Sequence, residues 1–262
     1  MDARQSIKKR WHEALSQARR DKVWLDSLAQ AYGELSIDEA YEVQAMLLEE
    51  RRSLGDRLIG WKVAATSERA RATVKVSEPF VGFMTGSWYV PTGQALKASD
   101  YGKLAVEGEI AFVMREGLHG PGLTTADVYR ATLGVMAGVE VVDSRVKDWK
   151  VNAAEAVADN ALHAGVLLGP FMRTTENWDP VHEGVVASVN GRVVGSGCGA
   201  EALGNPAEVL VWLANKLSKY GQHIEPGHII LTGTVAPAQF VKAGDVVSFS
   251  YTSLGRIELS VE

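Results

Sequence analysis

The sequence predicts an α+β fold, with a helical N-terminal region over residues 1–56 and a β-rich body over residues 57–262. Three observations predict it. Apolar residues recur at helical intervals as far as Leu54. From Arg57 onward the chain breaks into short β-rich segments punctuated by glycine. Strands there mostly follow strands, which argues against a Rossmann-type alternation.

In the first region, "SIDEAYEVQAMLLEERRSLG" opens with Ser36 and Glu39 at the spacing of a capping box. It carries Ala40, Val43, Met46, Leu47 and Leu54 at helical intervals, and Gly55 can supply a left-handed stop. In the second region the segments "RLIGWKVAAT", "SWYVPTG", "VEGEIAFVM", "GVMAGVEVVDSR", "AGVLLG", "GVVASVNGRVVGSG", "GHIILTGT" and "DVVSFSYTSLGRIELSVE" read as β-rich. Asn190-Gly191 between alternating residues signals a hairpin. Two helices interrupt this region. One starts near Thr124 or Thr125 and runs through "ADVYRATLG". The other is "NPAEVLVWLANKLSKYG", with Asn205 as N-cap, Pro206 at the first helical position, Glu208 at the third and Gly221 as C-cap.

Composition narrows the function. The chain has 262 residues, 46% apolar and 23% charged, with a net charge of −5 and no basic patch, so nucleic acid is not an expected partner. One cysteine, Cys198, leaves no disulfide and no cysteine-based zinc site within the chain. The N-terminus is charged throughout and lacks the apolar core of a signal peptide. No run approaches the ~20 apolar residues of a membrane span. A cytoplasmic protein that does not engage a membrane is expected.

The chemistry lies in ionisable residues that interrupt apolar strands: Glu107 and Glu109 in "AVEGEIAFVM", Glu140 in "MAGVEVVDSR" and Lys62 in "LIGWKVAAT". Side chains at i and i+2 leave the same face of a strand, so Glu107 and Glu109 sit side by side among Val106, Ile110, Phe112 and Val113. Converging buried carboxylates repel and lose hydration, and a divalent cation removes both costs. Three carboxylates suit Mg²⁺ or Mn²⁺ better than zinc, and three protein ligands leave positions open for water or substrate. The competing reading puts Glu107 and Glu109 on a solvated face, although their neighbours there, Ala105, Ala111 and Val113, are apolar. From spacing alone both readings stand.

The motifs "GWKVAATS", "VEGEIAFV", "VEVVDSRVKDW", "VADNALHAGVLLG" and "GHIILTGT", in this order, resemble the fumarylacetoacetate hydrolase superfamily. The resemblance is to its branch of 2-oxopent-4-enoate hydratases and 4-oxalocrotonate decarboxylases, and it runs from about Ser36 to the C-terminus. It implies a mixed β-roll with outer helices, a metal triad at Glu107, Glu109 and Glu140, and a catalytic lysine at Lys62. It also implies binding of the substrate's carboxylate end at Gly233 and Thr234. Asp159 and Asn160 of the "ADN" motif fall near the site, although a local turn explains them equally well. The implied substrate is an unsaturated 2-oxo acid from aromatic catabolism. Its keto and carboxylate oxygens can chelate the metal, which stabilises an enolate while Lys62 moves protons; a structural ion pair with one of the carboxylates is the other reading of Lys62.

Three reactions share that enolate: decarboxylation of a 2-oxo-3-hexenedioate, hydration of 2-hydroxypenta-2,4-dienoate, and C–C hydrolysis of an acylpyruvate such as maleylpyruvate or fumarylpyruvate. Hydratases of the branch carry an acidic residue where "SEPFVGFM" places Phe80, and decarboxylases tend to be apolar there, so decarboxylation is put ahead of hydration. Leu162 and His163 stand where the branch has small polar residues. His163 is either a base for water, which would favour hydrolysis, or a neutral packing residue. His12 and Glu13 form a second candidate water-activating pair, although neighbours on a helix point in different directions. The resemblance further implies a homo-oligomer, possible association with a pathway partner enzyme, and a non-catalytic partner subunit as the non-enzymatic alternative.

Overall fold

The computed structural model describes residues 3–262. Three helices come first: α1 (Ala3–Asp21), α2 (Leu28–Tyr32) and α3 (Ile37–Ser53). α1 lies along α3 and buries Trp11, Leu15 and Ala18. Ion pairs from Lys8 to Glu42 at 2.5 Å and from Arg20 to Glu50 at 2.6 Å flank that seam. α3 starts as its sequence requires. Glu39 N donates to Ser36 Oγ at 3.2 Å, and Ser36 N donates to Glu39 Oε2 at 2.8 Å. It ends with Gly55 at φ 78°, where Gly55 N bonds Arg52 O and Asp56 N bonds Arg51 O, a Schellman closure.

The β body follows in chain order as β1 (Leu58–Ala64), α4 (Glu68–Val74), β2 (Phe80–Thr85), β3 (Ala105–Met114), α5 (Thr125–Ala131), β4 (Thr132–Val142), α6 (Ala153–Ala158), β5 (His163–Leu168), β6 (Gly184–Val189), β7 (Arg192–Cys198), α7 (Pro206–Ser218), β8 (Ile229–Thr234), β9 (Gln239–Phe240), β10 (Val246–Tyr251) and β11 (Arg256–Ser260). One sheet has the order β2-β1-β8-β3-β4-β5, with β9 also paired to β3. A four-stranded sheet has the order β11-β10-β6-β7. β1 and β8 run parallel, and every other named pairing is antiparallel. Trp11 and Leu47 of the helical region share one buried cluster with Phe112 of β3, Leu213 of α7 and Phe249 of β10. Each large side chain removed from water there contributes roughly 1.5–3 kcal/mol.

The β6–β7 hairpin turns at Asn190 (φ 52°) and Gly191 (φ 76°), the paired positive φ values of a type I′ turn. α7 is capped by Asn205, whose side chain accepts from Ala207 N at 2.9 Å. Its far end closes at Gly221, with Gln222 N bonding Leu217 O and Gly221 N bonding Ser218 O.

Three sequence expectations need correction. α5 stops at Ala131 instead of running through Gly134, because Thr132 is already paired with Met114 in the β3–β4 ladder. "SWYVPTG" is not a strand. It holds a single 3₁₀ turn, Gly86–Trp88, and one bridge from Tyr89 to Val166, and Pro91 has no N–H to extend a ladder. Four helices interrupt the β body rather than two. α4 and α6 have seven and six residues, too few to show a helical period, although Asn152 and Glu155 do form a capping box at the start of α6. Among the described residues no helix is long and apolar enough to cross a membrane.

Candidate metal centre

β3 and β4 bring the three carboxylates together by register. Glu107 lies directly opposite Glu140 across the antiparallel ladder, and Glu109 follows Glu107 on the same face, opposite Gly138. One carboxylate oxygen from each falls within 4.8 Å of the others. Glu109 and Glu140 are buried, whereas Glu107 lies deep but is still reached by solvent. The solvated-face reading of Glu109 therefore does not hold: its side of the strand is interior.

The electrostatics of the three carboxylates suit a cation. Burial, together with the charge of Glu140, pushes the Glu107 carboxyl up to about 7. Burial and the charges of Glu140 and Glu107 raise Glu109 further, even though Gly233 N donates to its Oε2 at 2.7 Å. Burial also works against charge on Glu140, but Lys62 and His163 outweigh it and hold that carboxyl below the usual range. Lys62 Nζ lies 3.0 Å from Glu140 Oε2, too poorly aligned for a hydrogen bond, and donates to Ala161 O at 2.9 Å. Glu109 Oε1 and Glu140 Oε2 are buried and have no hydrogen-bond donor. Three convergent carboxylates, two with orphaned oxygens and two reluctant to ionise alone, fit a hard divalent cation such as Mg²⁺ or Mn²⁺.

Small residues make room for this geometry. Gly82 pairs with Lys62 across β1–β2, where a Cβ would stand 3.0 Å from Lys62 Cδ and 2.7 Å from Asn160 O. Gly233 has φ 92°, and a Cβ there would run into Thr66 Oγ1. Phe80 is buried, two residue pairs along from Lys62 and on the same face of the sheet.

The fumarylacetoacetate (FAA) hydrolase C-terminal family model matches residues 60–262. The chain belongs to the fumarylacetoacetate hydrolase family. Over 238 residues it is 37% identical to 2-hydroxyhexa-2,4-dienoate hydratase of Comamonas testosteroni, covering 90% of this chain and 89% of that protein. Over 223 residues it is 35% identical to 4-oxalocrotonate decarboxylase of Pseudomonas sp. strain CF600, covering 85% and 84%. It superposes on 4-oxalocrotonate decarboxylase from Pseudomonas putida G7, solved in complex with magnesium and adipate. That match has a TM-score of 0.95 and 31% identity over 100% of this chain and 99% of that one. The mixed β-roll with outer helices is thus the fold of this FAA hydrolase family member.

The remaining sequence candidates divide around this centre. His163 is fully buried, and its Nδ1 lies 2.8 Å from Glu140 Oε1. Its Nε2 has no partner, and its ring meets the Trp88 ring edge-on at 5.6 Å. Burial pushes the imidazole down, with Glu140 pulling the other way. Thr234 pairs with Glu109 across β3–β8, but its hydroxyl is engaged by Ala236 O, as a turn residue's would be. Asp159 is buried, and both its oxygens already accept, from Arg19 Nη2 at 2.7 Å and from Arg145 N at 2.6 Å. Asn160 uses its whole amide on β2, accepting from Phe83 N and donating to Phe83 O. His12 and Glu13 do not act as a pair: His12 Nε2 meets Glu50 at 3.0 Å, and Glu13 meets Lys9 at 3.6 Å. Cavities of about 230 Å³ and 420 Å³ lie elsewhere, and neither is walled by the three glutamates.

Sequence reasoning missed the turn that carries these neighbours. Asn160, Ala161 and Leu162 have consecutive φ values of 56°, 52° and 61°. Three left-handed residues without a glycine cost roughly 1–2 kcal/mol each. The "ADN" motif was the available signal, but nothing in its residue types announces positive φ beyond Asn160.

Proposed function

We propose that the chain is a divalent-metal-dependent lyase that decarboxylates an unsaturated 2-oxo dicarboxylic acid of the 2-oxo-3-hexenedioate type. The observation that carries this reading is the triad itself: three carboxylates on one interior face with Lys62 against Glu140. Glu107, Glu109 and Glu140 would hold Mg²⁺ or Mn²⁺, which, when bound, supplies a Lewis acid for the keto and carboxylate oxygens of a 2-oxo acid.

The chain's own residues do the rest. Lys62, held between Ala161 O and Glu140, presents an N–H to the substrate and supplies or removes a proton as the released electron pair delocalises through the conjugated chain. Val106, Ile110 and Phe112 hold the opposite face of β3 in the core, and Ala105 and Ala111 flank the carboxylates with apolar surface on their own face. Phe80 favours carbon dioxide loss over hydration, because adding water requires a group to direct it and this side chain offers none. His163 Nε2 is a free acceptor, yet its ring is sealed within the protein, which suits support of Glu140 better than activation of water for C–C hydrolysis. Retention of all three glutamates and Lys62 argues against a non-catalytic partner subunit. Self-association is part of the same reading, supported by the exposed Val193 and Val194 on the edge strand β7, and light scattering of the purified protein checks it.

The deciding experiment is product analysis with Mg²⁺ or Mn²⁺, using 2-hydroxymuconate, 2-hydroxypentadienoate and maleylpyruvate as substrates. Carbon dioxide from the first is expected. A hydrated 4-hydroxy-2-oxo acid from the second, or pyruvate from the third, as the dominant activity would overturn the assignment of decarboxylation.

A further inference from the structure

The left-handed turn Asn160–Leu162 is anchored from two sides. On its inner side, the Asn160 amide bonds Phe83 N and Phe83 O at 2.8 and 2.9 Å, and Asp143 N donates to Leu162 O at 3.0 Å. On its outer side Arg145 N holds Asp159 Oδ2 at 2.6 Å, and one guanidinium reaches both ends of the turn. Arg19, near the end of α1, donates through Nη1 to His163 O at 3.2 Å. Through Nη2 it donates to Asp159 O at 2.9 Å and to Asp159 Oδ1 at 2.7 Å. It therefore grips the residue before the turn and the residue after it. Between those grips Ala161 O holds Lys62 Nζ, and just beyond them His163 Nδ1 rests on Glu140. A backbone in such an unfavourable conformation persists only where its surroundings over-determine it.

We propose that Arg19 is a positioning residue for the metal centre: by clamping both ends of the left-handed turn it sets where Lys62 and, through His163, Glu140 stand. The inference rests on reading the three glutamates as metal ligands. It gives the N-terminal helix a share in the metal centre through Asp159, 140 residues away from Arg19 in sequence. A simpler role for Arg19 would be to neutralise buried Asp159, and any cation would serve for that. The fork geometry is what a guanidinium adds, since only a planar, multiply donating group reaches both ends of the turn at once.

Arg19→Lys keeps the charge and loses the fork, and Arg19→Met loses both. In each variant, Mn²⁺ affinity is measured by calorimetry on chelator-stripped protein. Amide hydrogen exchange is followed at Phe83 and Asp143, with the β10 ladder as internal control. The expected result is a Mn²⁺ Kd weaker by about tenfold or more, with exchange accelerated at Phe83 and Asp143 and not in β10. If Arg19→Met does not fold, Arg19→Lys decides. Wild-type Mn²⁺ affinity in folded Arg19→Lys overturns the proposal, whether exchange changes or not. Failure of the wild-type protein to bind Mn²⁺ would instead sink the metal reading, and the exchange rates alone would then decide whether Arg19 holds the turn.

Discussion

At the scale of single residues, the proposed lyase assigns holding a cation and moving a proton to different side chains. Glu109→Gln and Glu140→Gln each remove a ligand charge and are expected to lower metal-dependent turnover at least about a hundredfold, with Mn²⁺ binding lost in calorimetry. Lys62→Ala is expected to lower kcat by about 10²–10⁴-fold while Mn²⁺ still binds; unchanged turnover would make Lys62 a purely structural partner of Glu140. A pH dependence follows from Glu107, raised to about 7, and Glu109, raised well above its ordinary value. A carboxyl raised on folding stabilises the protein below its unfolded pKa of about 4.5 and ceases to do so as pH rises through its folded value. The metal-free protein should therefore lose that contribution between about pH 4.5 and pH 7. Because the cation must displace those protons, Mn²⁺ binding should tighten from about pH 6 to about pH 8, by up to roughly tenfold per unit for each proton displaced. Titrations with proton-release measurements check it, and a flat profile would mean that the carboxylates are already ionised without metal.

At the scale of elements, what was legible in the sequence was the local pattern, and what was not was the pairing. Alternation along β3 put Glu107 and Glu109 on one face, and their apolar neighbours signalled burial. That Glu140 stands opposite Glu107 is a fact of register, set by how β3 and β4 pair and not by either strand alone. The α7 cap and the Asn190-Gly191 hairpin were legible because each depends on residues within a few positions of one another. The end of α5 was not, because the claim of β4 on Thr132 comes from Met114 on another strand. β8 carries the prediction for this scale. Gly233 donates its N–H to Glu109 from a φ of 92°, and any Cβ would collide with buried Thr66. Gly233→Ala is expected to cost about 1–3 kcal/mol in denaturant melts and to weaken Mn²⁺ binding along with stability. A variant of wild-type stability and affinity would show that the β8 turn has slack.

At the scale of the whole molecule, the helical N-terminal region and the β body share a core, which their sequences did not disclose. Trp11, Leu15 and Leu47 belong to the same buried cluster as Phe112 and Phe249. Nothing in the sequence of α1 ties it to the β body, since Arg19 in "SQARRD" carries no mark that tells its neighbour at Asp159 from any other acid. Deleting residues 1–56 is expected to leave 57–262 aggregated or with a sharply lowered melting temperature, because it uncovers apolar surface that α1 and α3 now occupy. A soluble, cooperatively folding 57–262 would establish the β body as an independent domain.

Tyr251 reaches from the four-stranded sheet across the roll and sets its hydroxyl 3.0 Å from Glu109 O and 2.7 Å from Gly138 O, the facing pair beside the triad. Burial raises its ionisation far above the ordinary phenol range, so its protonation state stays constant wherever the protein is folded. That makes it a built-in gauge. A fluorine placed ortho to the Tyr251 hydroxyl would register by NMR, from behind the strands, any shift in the β3–β4 backbone as the carboxylates in front trade protons for a cation.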